Sequence, residues 1–285
     1  MNYLKPHLPL FLLLIFASLI VGAQDEYTEG LQAIRLAYLD ESQDDLENLV
    51  NHPNPLPVIS DSIVKDIDGN SYRTRKFANQ VWMIENLKTS HFADGTSIRF
   101  VNKRSDWKRL SAFGSAYCWL ADDSLKYAET YGALYTWAAA MNGERPNSES
   151  PGVTQGVCPE GWHLPSDEEW KELEMHLGMN QASADYIKKR GANEGSKLAD
   201  SASLWNDGQL DKDPDFGTSG FEALPGSYRY DFGQFYSVGY FGSWWTSTEI
   251  NPLFAWHRSI SYSFSGVYRY TLDKKYGLSV RCVKD

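Results

Sequence analysis

Metal-ligating carboxylates, stacking rings and thiols are all present in this chain, and their spacing decides what chemistry each could do. Asp211, Asp213 and Asp215 alternate along one short run, with Asn206-Asp207 just upstream. Several hard oxygen ligands on one loop suit Ca²⁺, so calcium is the one cofactor the sequence suggests. The spacing is not that of an EF-hand, and a solvated acidic loop accounts for the same residues. Trp205, Tyr236, Tyr240 and Trp244 stand in or beside Gly-rich stretches. There they could offer ring faces to a glycan, since exposed aromatic patches are where recognition concentrates. The competing reading for each is a core ring whose polar atom is hydrogen-bonded.

Catalytic patterns are weaker. His91, His163, His176 and His257 show no paired metal spacing on one helix. A serine nucleophile needs a strained elbow such as Gly-x-Ser-x-Gly, which neither Gly114-Ser115 nor Gly242-Ser243 provides. His163 has no orienting partner visible in the sequence and reads as a hydrogen-bonding core residue. No catalytic residue is assigned. The three cysteines, Cys118, Cys158 and Cys282, allow any of three disulfides with one thiol left over, or three reduced thiols.

The elements that carry these residues begin behind a leader. Lys5 precedes an apolar run, Leu8 to Ile20, and Val21-Gly22-Ala23 then offers small residues before Gln24. That is the pattern of a secretory signal over residues 1–23. A membrane span needs roughly 20 apolar residues, and this run is shorter and contains Pro9. No cysteine follows for lipid attachment. The mature chain is therefore expected to be soluble, in the periplasm or at the cell surface, where disulfides persist. The net charge of −10 argues against nucleic acid, whose binding needs a basic face.

Residues 24–50 form an acidic segment, in which Leu31, Ile34 and Tyr38 share a helical face. Pro53, Pro55 and Pro57 make 51–60 an extended linker. From residue 61 onward short apolar runs alternate with turns, and all ten Trp lie between Trp82 and Trp256. Ile63 to Ile67, Asp68-Gly69 and Tyr72 to Phe77 predict a hairpin. Tyr131 to Met141 predicts a helix, as does Ser166 to Leu177. The second carries a capping box, with Ser166 at the N-cap and Glu169 three residues on. Trp256 to Phe264, a turn at Ser265-Gly266, and Val267 to Leu272 predict a hairpin. Leu278, Val280 and Cys282 alternate in a last strand. Helices in the middle followed by antiparallel strands indicate α+β.

Ordered motifs then point to a family. Asp66-Ile67-Asp68-Gly69-Asn70, Gln80-Val81-Trp82-Met83-Ile84-Glu85-Asn86-Leu87 and Leu134-Tyr135-Thr136-Trp137 come first. Cys158-Pro159-Glu160-Gly161-Trp162-His163-Leu164-Pro165-Ser166, Tyr228-Arg229, Trp244-Trp245-Thr246-Ser247 and Val280-Arg281-Cys282 follow. Over residues 61–285 the chain resembles the Fibrobacter succinogenes major paralogous domain, a family of secreted or surface bacterial proteins with no established enzymatic activity. The resemblance implies a fold similar to C-type lectins and to formylglycine-generating enzymes, preceded here by the helical segment. In such folds a disulfide ties the first half to the last strand, which favours Cys158–Cys282. The copper-binding cysteine pair of the formylglycine-generating type is not matched, since only Cys282 lies in that region.

The expectation is an exported, non-catalytic binding module of the cell envelope, whose partner is an extracellular glycan or protein. An enzyme derived from the formylglycine-generating scaffold and a structural surface protein are the alternatives. Exposed, mutually oriented Cys, His or Glu side chains in a cleft would favour the enzyme. A large apolar patch on the first helix would favour the structural protein.

Overall fold

The computed structural model describes residues 62–285. The segments read above as a secretory signal (1–23), an acidic helix (24–50) and a proline-rich linker (51–60) lie outside the described residues. Strand β1 (Ser62–Lys65) pairs with β2 (Ser71–Phe77), Ser62 opposite Thr74 and Lys65 opposite Ser71, as the hairpin prediction requires. Gly69 takes the left-handed conformation the turn needs (φ +83°). Asp66 locks the turn by accepting hydrogen bonds from the Asn70 backbone, the Asn70 amide and the Tyr72 hydroxyl.

The elements that follow are β3 (Gln80–Met83), α1 (Arg104–Lys108), β4 (Tyr117–Trp119), α2 (Ser124–Tyr131), β5 (Ala133–Tyr135), α3 (Trp137–Met141) and β6 (Trp162–His163). Then come α4 (Asp167–His176), α5 (Gln181–Asp185), β7 (Lys188–Arg190), α6 (Glu194–Leu198), β8 (Phe241–Asn251), β9 (Phe254–Ser261), β10 (Phe264–Asp273) and β11 (Val283–Lys284). They build a five-stranded sheet of order β1-β2-β3-β11-β6, a four-stranded sheet of order β7-β10-β9-β8, and a β4-β5 pair. Every pairing between these strands is antiparallel, so the α+β class holds. Among the described residues, no helix is long and apolar enough to cross a membrane.

Three local predictions are corrected. Residues 131–141 are not one helix. Gly132 ends α2 at φ +71°, where a Cβ would come within 2.6 Å of the Leu87 carbonyl oxygen. The chain then runs extended as β5 against β4, and the Thr136 side chain caps a new helix, α3. The β9–β10 turn falls at Tyr262-Ser263 rather than at Ser265-Gly266. Gly266 instead lies inside β10 at a register shift, where a Cβ would meet the Arg190 carbonyl oxygen at 2.4 Å. The last strand is also displaced: it is β11 (Val283–Lys284), and residues 278–282, where the alternation predicted it, lead into it with both faces covered. Leu278, Val280 and Cys282 are buried, and so are Ser279 and Arg281 between them.

Helix α4 and the disulfide tie these sheets together. The capping box forms as predicted: Ser166 Oγ accepts from the Glu169 backbone, and Glu169 Oε2 accepts from the Ser166 backbone. Trp170 and Leu173 sit on the buried face of α4, against Trp82, Phe221 and Trp244. Cys158 and Cys282 are joined by a disulfide, with Cα atoms 5.9 Å apart. It links the loop before β6 to the segment that leads into β11, within the largest apolar cluster.

Candidate functional site

The four-stranded sheet has two unlike faces, and strand alternation assigns each residue to one of them. Trp244 of β8, Arg258 of β9 and Arg269 of β10 lie in one row across the ladder. This row faces α4. Arg258 donates to Asp167 at 2.6 Å and to Glu174 at 2.9 Å, and Arg269 donates to Asp167 at 2.6 Å. Arg190 of β7 closes the set on Glu174 at 2.5 Å. All five groups are buried. Burial works against ionising Asp167, but the Arg258 and Arg269 charges outweigh it and hold its carboxyl well below the usual range. This face is a clamp between helix and sheet, with its polar groups consumed.

The opposite face carries Ser243, His257, Ser259, Tyr268 and Tyr270, on alternate positions of the same three strands. Together with Tyr228, Phe241 and Tyr276 they line a cavity of about 280 Å³. A second depression, of about 430 Å³, lies over Tyr230, Phe232, Tyr236 and Tyr240. The two are joined by ring contacts: Tyr228 stacks on Tyr236 at 5.2 Å, and Tyr236 meets Phe241 at 5.4 Å. Most of these rings are half-buried, so each is fixed by neighbours and still shows part of a face. His257 lies in the first cavity. Its Nδ1 contacts the Tyr270 carbonyl oxygen at 2.9 Å, so Nδ1 must carry the proton and Nε2 is the bare acceptor. Burial, with some help from Arg258, pushes its pKa down to about 3, which keeps the ring neutral.

In two other depressions charged groups are paired with one another. A largely apolar cleft of about 710 Å³ between Phe113, Trp137 and Met141 includes the buried Lys274 in its lining. That ammonium is paired with Glu249 and sits 3.9 Å from the Trp137 ring centroid. A polar cleft of about 310 Å³ contains Arg73, Glu85, Lys88 and Glu222. There Arg73 pairs with both glutamates, and Lys88 pairs with Glu129.

The sequence-predicted aromatic residues divide accordingly. Tyr236 and Tyr240 belong to the tyrosine face. Trp205 and Trp244 do not. Trp205 packs with Leu198, Leu210 and Ile260 and donates to the Asp200 carbonyl. Trp244 is fully buried and donates to Asn86 Oδ1 at 2.8 Å. Their ring faces are taken by the core. The aspartate loop has its carboxylates engaged within the protein. Asp211 accepts from the Gly208 backbone, Asp213 from the Asp215 backbone, and Asp215 from the Asn193 amide. The first two close local turns and the third ties the loop to Asn193, and among the described residues no group of three or more His, Cys, Asp or Glu is placed to hold a metal ion.

Several motif residues are bound into the scaffold. Asn86 satisfies its whole amide, accepting from Trp244 and Arg281 and donating to the Tyr131 carbonyl and Ser279 Oγ. Arg281 also ties down the Phe221 and Glu222 carbonyls. Arg229 lies between the Trp107 and Phe235 rings and holds the Val101, Asn102 and Gly233 carbonyls. His163 does have partners, and they are carboxylates on both sides: Glu169 at 2.7 Å from Nε2 and Asp285 at 2.7 Å from Nδ1. Burial opposes its charge, yet the two carboxylates raise its pKa, so both ring nitrogens donate. Cys118 is buried, and desolvation pushes its thiol up to about 12.

Fold and site together define a mixed α+β domain of antiparallel sheets that carries an aromatic face on a clamped scaffold. A model of the Fibrobacter succinogenes major domain family matches residues 76–284, and the chain belongs to that family. The match begins inside β2, so β1 and the first hairpin turn precede it. No curated protein and no solved structure matches the chain.

Proposed function

We propose that this domain is an exported, non-catalytic recognition module that binds a glycan on its tyrosine face. The observation that carries the proposal is the contiguous set of half-buried tyrosines spanning the two depressions on one side of the four-stranded sheet. Tyrosine suits sugars because one side chain supplies an apolar ring face and a hydroxyl, and rings already fixed by neighbours lose little entropy on binding.

Several features favour binding over chemistry. The titratable groups best placed for catalysis are engaged: His163 by two carboxylates, Cys282 in the disulfide and Cys118 in the core. The disulfide fits an oxidising compartment, in keeping with the secretory signal read from residues 1–23. A lectin-like relationship remains part of this proposal, resting on motif resemblance and on loop-borne aromatics over a rigid scaffold.

The test is a glycan and polysaccharide array probed with the mature protein, run with calcium and with chelator. The proposal expects at least one saccharide hit, with the same signal in both conditions. A hit abolished by chelator would return the aspartate loop to consideration. No hit in either condition would contradict the glycan reading.

A further inference from the structure

We infer that the cavity over His257 is a subsite for one uncharged sugar ring, with His257 Nε2 accepting a hydrogen bond from a ligand hydroxyl. The inference rests on the glycan reading above and adds which part of the face selects the sugar.

Three observations converge. First, His257 is a polar side chain more than nine-tenths buried, and it lines the cavity. Its Nδ1 is committed to the Tyr270 carbonyl, and Nε2 accepts no hydrogen bond from any described residue. Nε2 is not among the fully buried unpaired atoms, so it opens to the cavity, where a ligand donor can replace water on it. Second, the lining contains no Asp, Glu, Lys or Arg. The cavity therefore offers no countercharge to a carboxylate, sulfate or ammonium on a ligand, and such a group would be desolvated without compensation. Third, the lining is not simply apolar. Ser243 and Ser259 hydroxyls bond to each other at 2.9 Å near the floor. Tyr268, Tyr270 and Tyr276 bring hydroxyls that bond to no described residue. A purely hydrocarbon ligand would cover the tyrosine hydroxyls without pairing them. A neutral ring bearing several hydroxyls meets all three conditions.

The chemistry sets a direction. With the proton held on Nδ1, Nε2 can only accept, so the ligand atom facing it must be a donor. A sugar whose hydroxyl at that position is replaced by hydrogen or methoxy cannot supply one, and binds more weakly by about tenfold, the worth of one such bond.

The experiment is a titration of the ¹⁵N-histidine-labelled mature protein, followed through the imidazole nitrogens. The probes are the methyl pyranosides of glucose, galactose, mannose and xylose, with methyl glucuronide as the charged comparison. At least one neutral glycoside is expected to move the His257 Nε2 resonance, with glucuronide weaker by about tenfold or more for want of a countercharge. The His257→Phe variant, which keeps a ring in place and removes the acceptor, is expected to lose about tenfold in affinity. The wild-type nitrogen shift remains a valid readout should that variant fold poorly. Neutral glycosides that shift the tyrosine signals but leave Nε2 unmoved would overturn the inference while the glycan reading stands. Tighter binding of glucuronide would overturn it too. If no glycoside binds here and the array is also blank, the glycan reading falls and takes the subsite with it.

Discussion

His257 and His163 show how one residue type acquires opposite states from its surroundings. His163 is flanked by two carboxylates and gains a proton on folding; His257 is flanked by a carbonyl, serines and tyrosine rings and refuses one. The linkage signs follow. His163, with its folded pKa raised, adds stability that is fully present below the unfolded value of 6.5 and is lost as pH rises through the folded value. His257 is depressed to about 3, so its contribution is full above 6.5 and is lost as pH falls from there toward 3. The two partly cancel in the wild type, so the contrast must be read against a variant. Urea unfolding of wild type beside His257→Phe, from pH 7 to pH 4, is expected to show the wild type losing stability relative to the variant as pH falls. A constant difference across that range would contradict the buried neutral ring. None of this was legible in the sequence. A histidine's state is set by what lies across from it: Glu169 is only 6 residues from His163, but Asp285 is 122 residues away, and nothing local in the chain aims either carboxylate at the ring.

At the scale of elements, local signals were readable wherever a side chain acts on its own backbone. The Ser166/Glu169 capping box and the Asp66–Asn70 turn form as their spacing predicts, because donor and acceptor are within four residues. Prediction failed where the decisive contact was distant. Ala133–Tyr135 has good helix formers around it, yet the chain runs extended there because β4 offers it a ladder and Gly132 must pass close to the Leu87 carbonyl. Strands β9 and β10 invert the usual pattern: Arg258 and Arg269 point inward, to Asp167 and Glu174, while serines and tyrosines point outward. Alternation alone would put the arginines in water, and for that reason Tyr268, Tyr270 and His257 escape notice as site residues. The only sequence signal was tyrosine on alternate positions, Tyr268 and Tyr270, facing a strand of alternating His257 and Ser259. The clamp itself can be tested. Arg258→Ala leaves two buried carboxylates short of a partner and is expected to cost about 3–5 kcal/mol in denaturant unfolding. A loss under about 1 kcal/mol, the range of exposed pairs, would show that water reaches the network.

Across the molecule, the first and last parts of the domain are held together twice, by β11 inserted between β3 and β6 and by the disulfide. The two cysteines are 124 residues apart in sequence, and closing so long a loop restricts the unfolded chain by an amount worth about 5 kcal/mol on the chain-entropy account. Replacing both with serine is expected to lower unfolding stability by about 2–5 kcal/mol without changing the fold; an unchanged denaturation midpoint would contradict that role. This pairing could be anticipated only through the family resemblance, since three cysteines alone leave three pairings open. The same resemblance could not single out the tyrosine face. The motif residues Asn86, Arg229, Trp244 and Arg281 build the scaffold; Tyr228 is a motif residue that reaches the tyrosine face, and Tyr230, Tyr236, Tyr240, Tyr268, Tyr270 and Tyr276 lie between the motifs.

The central claim is that ligand recognition belongs to the tyrosine face and not to the apolar cleft beside Trp137. The most direct measurement is the glycan array repeated with two variants beside wild type: Tyr236→Ala/Tyr276→Ala on the face, and Phe113→Ala, an exposed ring at the mouth of the cleft. The account predicts that the tyrosine pair loses the saccharide signal by tenfold or more, roughly one to three kcal/mol of stacking, while Phe113→Ala keeps it. Retention by the tyrosine variant together with loss at Phe113→Ala would contradict it and move the site to the cleft.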